Sequence, residues 1–171
     1  MRRVVAGTGD DGRSKVLSDG RPETVVHQAP GALPQVLTGG WQGSQLQPGE
    51  AVVHLLWSFD AVPTPPSVDA RPPTDASFAA PPGATKWIVT EMGPDLEVPM
   101  HKTATVDYGI VLAGEVRLGL ETGSVDLSAG DAVVVGGVRH CWHAGPRGCV
   151  IATVLVGLPD GYHPENVPGG S

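Results

Sequence analysis

The chain has 171 residues, a hydrophobic fraction of 40%, a mean hydropathy near zero and a net charge of −7 from 18 acidic and 11 basic residues. This is the length of one domain, able to bury roughly 70% of its unfolded surface. The charges are dispersed without a basic run, which argues against nucleic acid and anionic membranes as partners, and no apolar stretch approaches the ~18 residues of a membrane-spanning helix.

Taken in chain order, no segment longer than about eight residues shows helical periodicity. Short Val/Leu/Ile-rich runs recur instead, bounded by Gly, Pro, Asp and Ser, and predict strands. The first group lies near Arg3–Ala6, Ser14–Leu17, Thr24–His27, Gln35–Gly40 and Ala51–Ser58. A stretch from Phe59 to Thr85 follows and holds seven of the seventeen prolines, which cannot donate to a central ladder. It reads as a polyproline-like surface strap or a mobile loop. The denser part then predicts strands at Lys86–Met92, Glu97–His101, Thr105–Leu112, Val116–Glu121, Val125–Leu127, Ala132–Val135, Arg139–His143 and Cys149–Val156. Turn signals separate them at Ala113-Gly114, Thr122-Gly123-Ser124, Ala129-Gly130-Asp131 and Ala144-Gly145-Pro146. Strands this short and frequent predict a sandwich or barrel. Residues 1–85 are read as N-terminal strands and strap, 86–157 as the core of the same domain, and 158–171 as a surface tail.

The two cysteines, Cys141 and Cys149, form no C-x-x-C pair, and one disulfide would not staple a fold of this size. The N-terminus, Met1-Arg2-Arg3-Val4-Val5-Ala6-Gly7, has no apolar run of signal-peptide length. A cytoplasmic location is therefore expected. No nucleophile elbow, phosphate loop or dinucleotide fingerprint occurs, which narrows the chemistry to a His/carboxylate or metal centre.

The window from Met100 to Glu115 carries most of the information. Side chains alternate along a strand, so His101, Thr103, Thr105 and Asp107 can share one face. Such a face is either a solvated exterior or the polar lining of a pocket. Trp142 has the parity of His140 and is expected on the same wall, with Val111, Val116, Leu118, Val133 and Val135 as apolar lining. Cys141 and His143 point away from His140, the former as a small buried hydrophobe and the latter at the surface. Tyr108, opposite in parity to Asp107, is expected against a second sheet or a partner subunit. Trp87 is read as a core aromatic, and His27 and His54 as structural.

This window resembles the first motif of the cupin superfamily, H-x-H-x3-E followed by V-L-x-G. His101 stands at the first His, Thr103 at the second, Asp107 at the Glu, and Val111-Leu112-Ala113-Gly114 at the turn. Gly130-Asp131-Ala132-Val133-Val134-Val135-Gly136-Gly137-Val138-Arg139-His140 is similar to the second motif, G-D-x-V-x-x…G-x-x-H. The resemblance covers residues 86–157 and matches a subgroup with H-x-T-x-T-x-D-Y, often found near secondary-metabolite genes. It implies a double-stranded β-helix, or jelly-roll, barrel with N-terminal strands extending one sheet, and a homodimer paired through that extension. It also implies an enzyme acting on a small organic substrate.

Cupins usually bind one divalent metal through three His and a Glu, and this chain departs at two of those positions. Thr103 is a poor ligand, and Asp107 is one methylene shorter than Glu. The surviving set, His101, Asp107 and His140, is a two-imidazole, one-carboxylate composition that suits Fe, Zn, Mn or Ni. Three readings stay open. The first is a metal centre supporting oxygenase or Lewis-acid lyase, isomerase or cyclase chemistry on a carbonyl compound. The second is a metal-free pocket with Asp107 as general base and His140 donating to an oxyanion. The third is a pocket that only binds a ligand. In each, Thr103 is expected to hydrogen-bond Asp107, His101 or a pocket water, and the pocket is expected to exceed about 300 Å³, the lower end for ligand sites.

Overall fold

The structure, a computed structural model, describes residues 2–8, 13–43, 45–59 and 80–160. Most of the Pro-rich stretch and of the C-terminal tail, whose placement was expected on the surface, lies outside them. Among the described residues every regular element is a strand: β1 (Arg3–Thr8), β2 (Ser14–Gly20), β3 (Thr24–Gln28), β4 (Gln35–Thr38), β5 (Ala51–Phe59), β6 (Thr85–Met92), β7 (Glu97–His101), β8 (Thr105–Leu120), β9 (Gly123–Ser128), β10 (Ala132–Gly136) and β11 (His140–Gly157). No helix in the described residues is long and apolar enough to cross a membrane.

All pairings are antiparallel, in the order β10-β8-β11-β6-β5-β3-β4, with β7 also on β11 and β9 also on β8. Two long strands fold this path into facing leaves. The first half of β8 pairs with β10 and with residues 149–157 of β11, while its second half pairs with β9 and with residues 140–144. Ala113-Gly114 and Ala144-Gly145-Pro146, expected as turns, are therefore bends inside continuous strands. Gly114 (φ 73°) and Gly148 (φ 75°) adopt left-handed backbone there, and a Cβ on Gly114 would run into the carbonyl of Gly148. The β11 register shifts between Ala144 and Cys149, so inward-facing residues change parity across the bend.

β3 and β5 extend the larger leaf as the sequence predicts, because Val25, Val26 and the run Ala51–Leu56 are apolar enough to be covered on both faces. β1 and β2 instead form a separate two-stranded sheet. Arg3 ties it to β5: its guanidinium donates to the Leu56 carbonyl (3.2 Å) and the Ser18 hydroxyl (3.1 Å) and lies over Trp57.

One core cluster fills an end of the barrel, with Val111, Val116, Leu118, Leu127, Ala144, Cys149 and Ile151 among its members. A second, Val26, Val53, Leu55, Ile88 and Leu155, packs beneath the N-terminal extension. Trp87 is not in either. Its neighbour Ile88 takes the inward position, so the indole faces out and is half exposed.

Candidate active site

Between the leaves lies a cavity of about 560 Å³. Its walls are mostly aliphatic, with Ile88, Val133, Val135, Ile151 and Leu155 on the larger leaf, while residues 28–31, Pro34 and Gly49 rim it from the N-terminal part. That rim was not anticipated; Pro30, Gly31, Pro34 and Gly49 read in sequence only as turn residues. Gly109 contributes room, since a Cβ there would lie 3.1 Å from Val133 Cγ1 and 3.3 Å from Ile151 Cδ1. Val111, Val116 and Leu118, expected as pocket lining, are buried in the core cluster and do not line the cavity. They sit at or beyond the strand bends, where the inner face is already closed by packing.

His101, Thr103, Asp107, His140 and Trp142 all line the cavity. They do not share one strand. His101 ends β7, Thr103 lies in the connection, and Asp107 belongs to β8, with His140 opposite His101 in the β7–β11 register. The His101 and His140 rings stand 4.3 Å apart, and Trp142 packs edge-on to His140 at 5.8 Å. Outside this group, Cys141 faces away and its Sγ occupies the space that a Cβ on Gly119 would need. It is half-buried rather than buried, His143 is exposed, and burial pushes the Cys149 thiol up to about 11. Neither cysteine is placed as a nucleophile.

Both imidazoles are held in one tautomer. His101 Nδ1 lies 2.9 Å from the Pro99 carbonyl and His140 Nδ1 lies 2.9 Å from the Val138 carbonyl. A carbonyl can only accept, so each Nδ1 carries the proton and each neutral ring keeps a lone pair on Nε2. Neither Nε2 has a hydrogen-bond partner among the described residues. With Nδ1 on the Val138 carbonyl, Nε2 of the neutral His140 ring accepts, and the expected donation to an oxyanion would need the protonated ring. Burial holds His140 below the ordinary histidine range, against the raising effect of the Val138 carbonyl and of Asp107.

Asp107 is pushed above the ordinary carboxylate range, chiefly by burial; the Thr105 hydrogen bond and the two imidazoles oppose this. Thr105 Oγ1 lies 2.5 Å from Asp107 Oδ1 and 3.0 Å from Thr103 Oγ1. A hydroxyl has one proton, so Thr105 donates to the carboxylate while accepting from Thr103. Thr103 thus reaches Asp107 through Thr105 rather than directly. Thr105, almost fully buried, is the site residue the sequence reading underused. Replacing it with the near-isosteric Val should leave the fold intact and raise the Asp107 pKa further. The acid limb of any pH–rate profile should then move to higher pH; an unmoved limb would show that Asp107 is not the titrating base.

The cupin resemblance implies a metal, and the residues present fit it poorly. Among the described residues no three of His, Cys, Asp or Glu group closely enough to hold an ion. Asp107 is short and committed to Thr105, and a threonine stands where a second imidazole would complete the set.

An antiparallel jelly-roll barrel with a ligand-sized, apolar cavity and a His/Asp/His wall defines a cupin-type domain. The chain resembles the cupin superfamily in its fold and in its two motifs. No family model matches it. Oryzines biosynthesis cluster protein J of Aspergillus oryzae is 35% identical over 100 residues, 52% of this chain and 53% of that protein. A cupin-domain-containing oxidoreductase, virC, of Hypocrea virens is 39% identical over 54 residues, 31% of this chain and 28% of that protein. The chain thus spans about half, or less, of these relatives' length. Among solved structures, the polyketide cyclase RemF of Streptomyces resistomycificus aligns with a TM-score of 0.45 at 21% identity, covering 64% of this chain and 68% of that one.

Proposed function

We propose that the chain is an enzyme of secondary metabolism that shifts a proton next to a carbonyl group of a small organic molecule, in a lyase, isomerase or cyclase reaction. One observation carries this: a half-desolvated carboxylate, Asp107, faces an apolar cavity beside two imidazoles whose Nε2 atoms are free. In the step, Asp107 removes a proton from carbon as the C–H electron pair moves into the adjacent carbonyl, and passes that proton to the carbonyl oxygen, giving a neutral enol. The proton returns to a different atom, or a leaving group departs. His140 stays neutral as an acceptor until it takes up a proton in transit. The relative from a biosynthesis cluster supports the metabolic setting.

The test follows deuterium uptake at the methyl group of 2-acetylnaphthalene in D2O, before and after chelation with EDTA. Exchange above the buffer background that survives chelation and is lost in Asp107→Asn is expected. A metal-assisted reaction is the competing outcome of this test, in which the two free Nε2 atoms would supply the imidazole ligands. Exchange or oxygen consumption lost on chelation and restored by Fe(II) would select it.

The same proposal includes a homodimer. The outer face of the larger leaf presents a paired row, Val134–Tyr108–Val154–Trp87, flanked by Ile110 and Leu112. Val134, Tyr108, Trp87, Ile110 and Leu112 are all substantially exposed, and none is charged in a chain of net charge −7. Contact through this row would bury apolar side chains and no charged one. Light scattering should give a dimer, and Tyr108→Glu with Val134→Lys a folded monomer; a monomeric parent would refute the face as an interface.

A further inference from the structure

Three of the polar groups that reach the cavity, on His101, Asp107 and His140, are acceptors, while Gln28, Thr90, Thr153 and the Trp142 indole bring donors to its walls. The two Nε2 lone pairs and the carboxylate of Asp107 converge on one wall, while the Thr105 and Thr103 hydroxyl protons are directed along the Thr103–Thr105–Asp107 chain. Among the described residues no lysine or arginine lines the cavity. Lys86 pairs with Leu155, which pairs with Asp107, but it does not line the cavity and has a polar partner of its own. The charged groups of the described residues that line the cavity, Asp107 and Glu97, are both acidic. A substrate carboxylate or phosphate would be desolvated beside them with no lysine or arginine of the described residues to pair it.

We propose that the substrate class is an uncharged, largely apolar ring molecule that presents phenolic or enolic hydroxyl donors to His101, His140 and Asp107. This rests on the reading of the cavity as the substrate site and deepens it. Each acceptor left without a donor costs binding energy, so the hydroxyl and not the ring sets selectivity. The apolar walls favour a neutral hydroxyl over an ammonium group, whose own desolvation a single carboxylate offsets incompletely.

The test is calorimetric titration of the whole chain with four probes of one shape: 2-naphthol, 2-methoxynaphthalene, 2-naphthoate and 2-naphthylmethylamine. 2-Naphthol should bind at least about tenfold more tightly than its methyl ether, the ratio a hydrogen bond to a charged acceptor provides. 2-Naphthoate should show no saturable binding. Gly109→Val, which fills the cavity, should weaken 2-naphthol at least about tenfold; Val133→Phe is the second wall variant should the first not fold. Equal binding of naphthol and its ether, tighter binding of the anion or the amine, or naphthol binding untouched by a folded wall variant would overturn the assignment. The two readings fail separately. Naphthol selectivity without deuterium exchange on 2-acetylnaphthalene sinks the base mechanism alone, and exchange without that selectivity sinks the substrate class alone.

Discussion

Replacing Asp107 by Asn is expected to lower proton-transfer turnover by about 10²- to 10⁴-fold, the range for loss of a positioned general base. The amide keeps the shape and still accepts from Thr105, so packing is preserved while the basic oxygen is lost. The same variant should be at least as stable as the parent at neutral pH. The folded-state pKa of Asp107 is raised above the reference of 3.8, because burial favours its neutral form. The folded state therefore binds the proton more tightly than the unfolded chain. That contribution is fully present below about pH 3.8 and is lost as pH rises through the raised folded value. Asparagine has no ionised form, so the melting-temperature advantage of Asp107→Asn should grow as pH rises above 3.8. His140 has the opposite sign: its depressed pKa makes the fold lose stability as pH falls from 6.5 through the lower folded value. A variant that unfolds, or that keeps full turnover, would make Asp107 a structural residue and end the base mechanism.

How much of this was legible in the sequence depends on the residue. The barrel could be read because short apolar runs recur along the chain, and because Gly and Pro mark where they stop. The His/Asp/His wall could be read because the first motif has fixed spacing and His140 follows Gly136-Gly137 at the right offset. Parity within a strand served well: it placed Trp142 beside His140 and turned Cys141 and His143 away. It failed where a strand bends. The left-handed glycines Gly114 and Gly148 let β8 and β11 pass from one leaf to the other, so two predicted turns became bends. Tautomers were not legible either. The Pro99 and Val138 carbonyls that fix the imidazoles lie two residues before each histidine, and only backbone geometry shows that they accept from Nδ1. Thr105 illustrates the same limit: its parity placed it on the pocket face, yet its function is to hold Asp107 from underneath.

The bend at Gly114 carries the second large effect, and here it falls on stability. Gly114→Ala should destabilise the fold by about 2–4 kcal/mol, adding the strain of a left-handed non-glycine residue to that of an overpacked contact. At this chain length that corresponds to a fall in melting temperature of roughly 5–15 °C. The contact cannot be relieved by a rotamer, because the added Cβ meets the backbone carbonyl of Gly148, itself at φ 75° and close to the Met92 carbonyl. Gly20→Ala is the matched control: it lies in a strand with nothing near an added Cβ and should change stability by less than about 0.5 kcal/mol. Moving the bend also moves the site, since Asp107 precedes it on β8 while His140 lies before the corresponding bend on β11. Gly114→Ala should therefore weaken 2-naphthol binding even at temperatures where the variant is fully folded. If it melts like the parent, β8 does not pass through a glycine bend at this position, and the two leaves that bring Asp107 and His140 to one cavity must be joined in another way.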